Sequence, residues 1–119
     1  MNSPLKNKIN SVFIPVNNIE NAKEWYGKIL GVDGEIIHEH LCVLDMVGTG
    51  VILDEMPLWR NEEGKITPNH VPTVQFGTDD IQKSYQFMKD NGVELVTEIE
   101  HNHFFILKDP DGNMLMVCQ

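Results

Sequence analysis

Histidine side chains are the first groups in this sequence that could bind a metal. The five histidines comprise two His-x-His pairs and one isolated residue, namely His38 and His40, His101 and His103, and His70. On a β-strand, such a pair places both imidazoles on one face, and neutral imidazole binds zinc, nickel and iron. Two strand histidines fall short of the three or four protein ligands of a metal site. Two interpretations therefore stay open. The histidines form a rearranged metal site, or they are exposed or hydrogen-bonded groups that bind no metal.

Proton transfer is the second chemistry that the residue types allow. Asp54 closes a predicted strand and could exchange a proton with Thr73 or His103 if the fold brings them together. The sequence shows no nucleophile paired with a base. It therefore leaves open whether the protein is an enzyme.

Charge and length limit the classes of function. Nine basic and eighteen acidic residues give a net charge of −9, which repels phosphate backbones and anionic lipid. We therefore expect neither nucleic acid nor membrane as a partner. A chain of 119 residues fits one domain with a modest core.

The location of the protein is predicted from its apolar runs and its cysteines. The residues after Met1 contain no apolar signal segment, and the most apolar window, 41–53, is interrupted by Asp45. Cys42 and Cys118 lie in separate β-like runs, which is typical of reduced thiols in a cytosolic protein. We expect a soluble cytoplasmic protein.

The elements that would position these groups repeat along the chain. Hydrophobic patterns predict strands over 10–16, 35–40, 41–47 and 51–55, with a helix between the first two that starts at Asn17 and stops at Gly31. After a long linker, they predict a strand over 73–78, a helix capped by Asp79, and strands over 94–100, 103–108 and 114–118. The predicted order is βαβββ, linker, βαβββ.

A constant spacing supports a true repeat. The interval from Asn17 to Asp79, which begin the two helices, equals the interval between the turn residues Gly50 and Gly112. The domain organisation predicted from this is an arm over 1–8 and a single domain over 9–119. That domain divides into module one (9–55), a linker (56–71) and module two (72–119).

Three segments carry a family resemblance. They are Phe13-Ile-Pro-Val-Asn-Asn-Ile-Glu-Asn-Ala-Lys-Glu-Trp-Tyr26, Phe76-Gly-Thr-Asp-Asp-Ile81 and Phe105-Ile-Leu-Lys-Asp-Pro-Asp-Gly-Asn113. In this order they resemble motifs of the vicinal oxygen chelate superfamily, which includes glyoxalase, bleomycin-resistance and extradiol dioxygenase relatives. The resemblance covers about residues 9–118. It implies an α+β fold in which two βαβββ modules form a paired curved-sheet cleft, often in a homodimer.

The resemblance also implies where a divalent metal would bind. The family's enzymes hold it with His, Gln and Glu from pseudo-symmetric strands. Here the matching positions are Ser11, Asp54, Thr73 and Met116. Hydroxyl and thioether groups are poor ligands for such metals, and one carboxylate cannot hold a metal against water. We therefore expect no metal cofactor and no chemistry that depends on one.

Strand alternation predicts what lines the cleft instead. If Ser11 faces the cleft, Phe13 does too, and so do Thr73 and Gln75 of the second module. Pairing Lys108 with Asn113 across the last hairpin would place Phe105 opposite Met116 and His103 opposite Cys118. Trp59 in the linker would cover the ligand or pack in a dimer interface. The predicted ligand-binding residues are Ser11, Phe13, Asp54, Trp59, Thr73, Gln75, His103, Phe105 and Met116.

Three hypotheses follow from this lining. The first is a metal-free protein that binds a small organic molecule, because aromatic and thioether walls with few polar groups suit such a ligand. The second is a lyase- or dioxygenase-like metalloenzyme whose rearranged site uses Asp54 and His103. The third is a dimer whose cleft is filled by its own side chains and which acts through a protein partner.

Overall fold

The computed structural model describes residues 2–119 as two modules, each with one helix on a four-stranded sheet. Module one contains β1 (Ser11–Pro15), α1 (Ile19–Leu30), β2 (Gly34–Ile37), β3 (Leu41–Leu44) and β4 (Gly50–Asp54). A 3₁₀ turn (Pro57–Trp59) lies in the linker. Module two contains β5 (Gln75–Gly77), α2 (Ile81–Asp90), β6 (Glu94–Leu95), β7 (Phe104–Lys108) and β8 (Met114–Cys118).

The two sheets share one topology. Their strand orders are β1-β4-β3-β2 and β5-β8-β7-β6, and the first pair in each is parallel while the other pairs are antiparallel. This confirms the predicted α+β fold with two βαβββ modules. Within residues 2–119, neither helix has the length and apolar run that crossing a membrane requires.

Each helix begins one residue later than predicted. Asn18 Oδ1 accepts from Asn21 N at 2.9 Å, and Asp80 Oδ1 accepts from Lys83 N at 3.0 Å, as N-caps do. Asn17, the predicted cap, instead donates its Nδ2 to Asp111 Oδ1 at 2.8 Å. Both caps lie one residue after the predicted ones, Asn17 and Asp79. The interval between the two caps is therefore the one predicted, although the residues that cap the helices are different.

The first N–H of each helix is satisfied from the end of its own sheet. Ile19 N donates to Glu55 Oε2 at 2.7 Å, and Ile81 N donates to Gln119 Oε1 at 2.9 Å. Glu55 and Gln119 each follow the last strand of a module. The interval between these two residues is longer, by two positions, than the interval between the helix caps.

This difference corrects the predicted correspondence between the last strands. The turn glycine that matches Gly112 (φ +90) is Gly48 (φ +82), not Gly50. In register, Phe13 pairs with Ile52 and Gln75 pairs with Met116. The counterpart of Met116 is therefore Ile52. The helix-cap interval, counted back from Met116, predicts Asp54 as its counterpart in module one, and that prediction is wrong.

The last hairpin has a register one residue away from the prediction. Lys108 pairs with Met114, which sets Phe105 opposite Val117 rather than Met116. A slip of one residue turns every side chain to the opposite face. Phe105 is consequently fully buried under α2, where its ring meets Tyr85 edge-on at 5.1 Å. The prediction that Phe105 lines the cleft is wrong, and Ile106 takes the place opposite Met116.

The histidine pairs lie in turns rather than on strands. His38 and Glu39, between β2 and β3, have φ values of +49° and +66°. His101 and Asn102, before β7, have +52° and +54°. Because these residues leave the pleated conformation, neither His-x-His pair shares a strand face, and a rearranged histidine site loses its geometric basis.

The core lies between each sheet and its helix. On β1, Ile14 is fully buried and Val12 is half-buried, whereas Phe13 is exposed on the other face, as predicted. Both cysteines are free thiols; Cys42 is buried and Cys118 is only partly so. Burial raises the pKa of the Cys42 thiol. The largest fully buried side chains are Tyr26, Phe105, Ile14, Leu53, Leu107, Leu115, Val16, Asn113 and Cys42.

On module two, the sheet face turned away from α2 is partly exposed. Strands β7 and β8 alternate between buried residues under α2 and partly exposed ones opposite. The Cα radius of gyration is 15.2 Å, against about 13.5 Å for a compact domain of this length. The single chain is thus an open structure.

A buried hydrogen-bond network joins the modules at Asp109. The Tyr26 hydroxyl donates to Asp109 Oδ2 at 2.6 Å, and Asn113 Nδ2 donates to the same oxygen at 2.8 Å. Asn113 Nδ2 also donates to the Pro15 carbonyl at 2.6 Å. The backbone N–H groups of Asp111 and Asn113 fill Asp109 Oδ1, both at 2.9 Å. One carboxylate therefore links α1, the end of β1 and the β7–β8 turn.

Burial sets the protonation of this junction. It raises the pKa of the Asp109 carboxyl, while hydrogen bonds from Tyr26 and Asn113 oppose that rise. Burial, and then the Asp109 charge, raise the pKa of Tyr26 far above its ordinary value. Tyr26 is consequently a permanent donor to Asp109.

We expect Tyr26→Phe to lower the free energy of unfolding at neutral pH by about 2 kcal/mol, because a buried carboxylate loses one donor. Losing that donor raises the pKa of Asp109 further. When the pKa of a carboxyl is higher in the folded than in the unfolded protein, the protonated carboxyl favours folding. That contribution is complete below the unfolded pKa, about 4, and is lost as the pH rises. The deficit of the variant should therefore grow from about pH 4 to neutral pH in urea unfolding.

Tyr85→Phe is the matched control. Tyr85 is partly buried and packs against the core, where its ring meets Phe105, and within residues 2–119 its hydroxyl makes no hydrogen bond. It should change stability by less than about 0.5 kcal/mol. Equal deficits for the two variants, or a Tyr26→Phe deficit that does not depend on pH, would contradict the role given to Asp109.

We expect Glu39→Gly to stabilise the protein by about 1 kcal/mol, because glycine adopts positive φ without a Cβ clash. Asn102→Gly at the equivalent turn should give a smaller gain, since asparagine already tolerates this conformation. Thermal unfolding of both variants would test this. A loss of stability for Glu39→Gly would show that the turn is not strained.

Candidate ligand-binding pocket

A pocket of about 390 Å³ lies on the open face of module one, lined by Phe13, Pro15, Asp54 and Trp59. Parallel pairing of β1 with β4 sets Pro15 beside Asp54, and strand alternation puts Phe13 on the same face as Pro15. Trp59 comes from the 3₁₀ turn in the linker. Three residues predicted to bind ligand, Phe13, Asp54 and Trp59, therefore lie together.

Asp54 orients Trp59. The indole Nε1–H donates to Asp54 Oδ2 at 2.9 Å, and Met56 N donates to Asp54 Oδ1, also at 2.9 Å. Asp54 is only 5% exposed, and both of its oxygens have a donor from its own chain. Its function in the site is thus to hold the linker turn and the indole ring.

Arg60, the residue after Trp59, also anchors the linker. Its Nη2 donates to the carbonyl oxygens of Asn17 at 2.8 Å and Glu55 at 3.2 Å. Its Nη1 donates to the Gly64 carbonyl at 2.9 Å. In sequence, Trp59 therefore lies between Met56 and Arg60, which are both held by hydrogen bonds. The linker is anchored here although it has almost no regular structure.

Two aromatic rings remain open to solvent in this pocket. Phe13 is 53% exposed and Trp59 is 56% exposed. Exposed aromatic rings fixed by their surroundings are typical of recognition surfaces. The pocket is therefore an apolar surface whose shape is set before any ligand arrives.

Two predicted residues of module two line a separate cavity of about 320 Å³. Thr73 and Gln75 line it from module two, and Val12 and Val51 line it from module one. Gln75 Nε2 lies 3.2 Å from the sulfur of Met116, so these two residues, both predicted to bind ligand, are in contact.

Ser11 and His103, which were also predicted to bind ligand, line neither cavity. Ser11 is packed against Gly50, where an added Cβ would come within 2.8 Å of the serine Oγ. His103 is exposed in the turn before β7, and its carbonyl oxygen accepts from Gln119 N at 2.8 Å. Neither lines the pocket at Trp59. The structure also gives Asp54 no proton-transfer partner at Thr73 or His103.

The family's metal site does not fit these residues. Ser11 and Thr73 carry neutral hydroxyls, Met116 carries a thioether, and both oxygens of Asp54 already accept hydrogen bonds. Within residues 2–119, no three side chains of the His, Cys, Asp or Glu type form a cluster that could hold a metal. Weak donors in separate places do not replace a carboxylate and imidazole set.

Sequence reasoning missed the hydrogen bonds by which Asp54 and Arg60 anchor the linker turn. A local pattern could have revealed the first, because Asp54 stands three residues before Pro57, the first residue of the 3₁₀ turn. Asp before such a turn accepts from nearby backbone N–H groups. The hydrogen bond of Arg60 to Asn17 joins residues 43 positions apart in the sequence, and no local sequence pattern predicts it.

Comparison of sequences connects the chain with a known superfamily. The sequence model of the Glyoxalase/Bleomycin resistance protein/Dioxygenase superfamily matches residues 8–117. The uncharacterized protein YurT of Bacillus subtilis (strain 168) is 31% identical over 80 residues. That match spans 63% of this chain and 63% of YurT, less than two thirds of the relative.

Comparison of structures gives the same fold. Glyoxalase I of Leishmania major, described as trypanothione-dependent, is 17% identical with a TM-score of 0.75, over 96% of this chain and 87% of that chain. TnmS3 of Streptomyces sp. CB03234, described as an antibiotic binding protein, is 20% identical with a TM-score of 0.74, over 99% and 98%. A superfamily member from Sphaerobacter thermophilus is 23% identical with a TM-score of 0.73, over 92% and 94%. At these identities the likeness concerns the fold.

Proposed function

Because the chain belongs to the glyoxalase/bleomycin resistance protein/dioxygenase superfamily, we propose that it binds a small organic molecule in the pocket formed by Phe13, Pro15, Asp54 and Trp59. The observation that carries this proposal is the pair of half-exposed aromatic rings, one of them fixed by a buried carboxylate. Pockets of roughly 300 Å³ or more with apolar walls are typical of sites for small molecules.

The donor chemistry favours binding over metal-dependent catalysis. Among the four metal-ligand positions predicted from the sequence, only Asp54 carries a metal-binding group, and its two oxygens serve Met56 and Trp59. Ile52, which the structure makes the counterpart of Met116, offers no ligand atom in its side chain. A metal would have to displace both donors and find further ligands elsewhere. We therefore propose that the protein acts without a metal cofactor.

A metalloenzyme remains the second candidate. The likeness to glyoxalase I of Leishmania major, with a TM-score of 0.75, favours it because one fold serves both binders and enzymes. Such an enzyme would need a metal centre built otherwise than from Ser11, Asp54, Thr73 and Met116. The two candidates differ in metal content, which can be measured.

We also propose a homodimer, in which a second copy covers the open sheet faces. Support comes from the large radius of gyration and from partly exposed apolar side chains on the faces opposite the helices, such as Ile52, Ile106 and Met116. A second layer on these faces would complete a cleft and bury apolar surface.

A cytoplasmic location is proposed from the cysteines and the charge. Cys42 and Cys118 are free thiols, which are usual in reducing compartments. The net charge of −9 suits a protein without nucleic-acid or membrane partners.

A library of small aromatic compounds tests the ligand-binding proposal. At least one compound should raise the melting temperature of the wild type. Phe13→Ala should weaken its binding about tenfold, the effect of losing one aromatic contact of roughly 1.5 kcal/mol. Phe87→Ala is the matched control, because Phe87 is also partly exposed but lies on α2, outside the pocket. Equal losses in both variants would count against this pocket.

Elemental analysis of protein purified without chelators separates the two candidates. The binding proposal expects no stoichiometric divalent metal. One equivalent of nickel, zinc, iron or manganese, together with turnover that is lost on chelation, would establish the metalloenzyme instead.

Sedimentation equilibrium tests the dimer. The expected mass is twice that of one chain, and Met116→Lys on the open face should shift the equilibrium toward the monomer because it places a charge in an apolar interface. Phe87→Lys on the helical side should leave the mass unchanged. A wild type that stays monomeric at the highest concentration used for ligand binding would exclude this assembly.

A further inference from the structure

We infer that the pair formed by Asp54 and Trp59 makes this pocket selective for planar aromatic cations, with Asp54 as the positioning residue. The inference rests on the proposed function and names the chemical class of its ligand. Three features of the pocket carry it: the absence of free polar groups on the lining side chains, the buried carboxylate behind the indole, and the anchoring of the ring.

The lining side chains offer a ligand no free hydrogen-bonding group. Phe13 and Pro15 have no polar side-chain atom, and the only polar atom of the Trp59 side chain already donates to Asp54. The second oxygen of Asp54 accepts from Met56. A ligand is thus recognised through ring faces, which favours flat aromatic molecules over flexible polar ones.

The carboxylate of Asp54, which accepts from the indole N–H, sets the preference of the pocket for the charge of its ligand. Asp54 is 5% exposed, and within residues 2–119 it forms no ion pair. The guanidinium of Arg60, nearby in sequence, donates to three carbonyl oxygens instead. An N–H that donates to a carboxylate leaves the ring more electron-rich, which strengthens the attraction of the ring face for cations.

The field of the whole chain acts in the same direction. A net charge of −9 raises the local concentration of cations and repels anions. A pocket of about 390 Å³ lies in the lower part of the range for ligand sites. Its size suits a molecule of two or three fused rings.

Asp54 acts through Trp59 rather than on the ligand. The two donors, Met56 N and Trp59 Nε1, lie at different oxygens of Asp54, so an Asn in its place would turn its NH2 group toward one of them and could accept only from the other. A half-exposed indole without its hydrogen bond would lose its fixed orientation, and the ligand would have to order it on binding. Asp54→Asn should therefore weaken binding while the sheet stays folded.

Three matched two-ring probes test the charge preference: N-methylquinolinium as the cation, quinoline as the neutral ring and naphthalene-2-sulfonate as the anion. Calorimetric titration of the wild type should show N-methylquinolinium binding at least tenfold more tightly than quinoline, and no measurable binding of naphthalene-2-sulfonate. Asp54→Asn should weaken the cation at least tenfold and reduce its advantage over quinoline.

Indole N–H resonances report the positioning role directly. The chain has two tryptophans, and Trp25→Phe assigns the remaining cross-peak to Trp59. N-methylquinolinium should shift that cross-peak, and Asp54→Asn should move it in the absence of ligand. Trp59→Phe keeps an aromatic ring but cannot donate to Asp54, so it should lose affinity for the cation while Trp25→Phe does not. Trp59→Phe serves as the readout if Asp54→Asn fails to fold.

The outcomes separate the inference from the function it rests on. Equal affinity for the three probes, with the Trp59 cross-peak shifted by each, would overturn the charge preference and leave small-molecule binding intact. Unchanged cation affinity in both Asp54→Asn and Trp59→Phe would overturn the positioning role. A wild type whose Trp59 cross-peak responds neither to these probes nor to any compound of the aromatic library would refute the proposed function as well.

Discussion

The fold depends on one buried acceptor, the carboxylate of Asp109. A buried carboxylate must find donors or the fold loses several kcal/mol. Here the donors come from both modules: the Tyr26 hydroxyl belongs to α1, and the Asn113 amide belongs to the last hairpin. Because Asn113 also binds the Pro15 carbonyl, the junction fixes the end of β1, the strand that carries Phe13 into the pocket. The hydrogen bonds around Asp109 therefore fix both the packing of the two modules and the position of the β1 wall of the pocket.

Sequence alone revealed the parts of this constraint but not their connection. The run Asp-Pro-Asp-Gly-Asn identified a hairpin turn, because proline and glycine fix its backbone geometry locally. It did not reveal that Asp109 N donates to Asn113 O at 3.0 Å, which closes the turn one step away from the predicted pairing. That single step sends Phe105 into the core. Tyr26 lies 83 residues from Asp109, and no local pattern joins them.

The repeat shows the same limit. Hydrophobic patterns and the common interval of the helix caps were sufficient to predict two βαβββ modules, although Gly50 was the wrong counterpart of Gly112. The family model and the topology confirm that fold. The interval was then extended to the last strands, where the true interval is longer by two positions. The longer module two keeps the alternation of faces but moves the correspondence from Asp54 to Ile52. Alternation correctly placed Phe13 on the open face, because it depends on one strand only. Positions that depended on spacing across a whole module were less secure.

Asp54 and Asp109 solve the same physical problem with opposite results. Each accepts from its own turn, Asp54 one backbone N–H and Asp109 two, and each accepts from one aromatic donor, Trp59 in one case and Tyr26 in the other. At Asp109 the aromatic ring is buried, and the network joins two modules. At Asp54 the ring is left half-exposed, so the chain orders an apolar surface that it does not itself cover. Ordering a ring in advance lowers the entropy that a ligand must later overcome. This arrangement employs both oxygens of Asp54 in holding the linker turn and the indole ring.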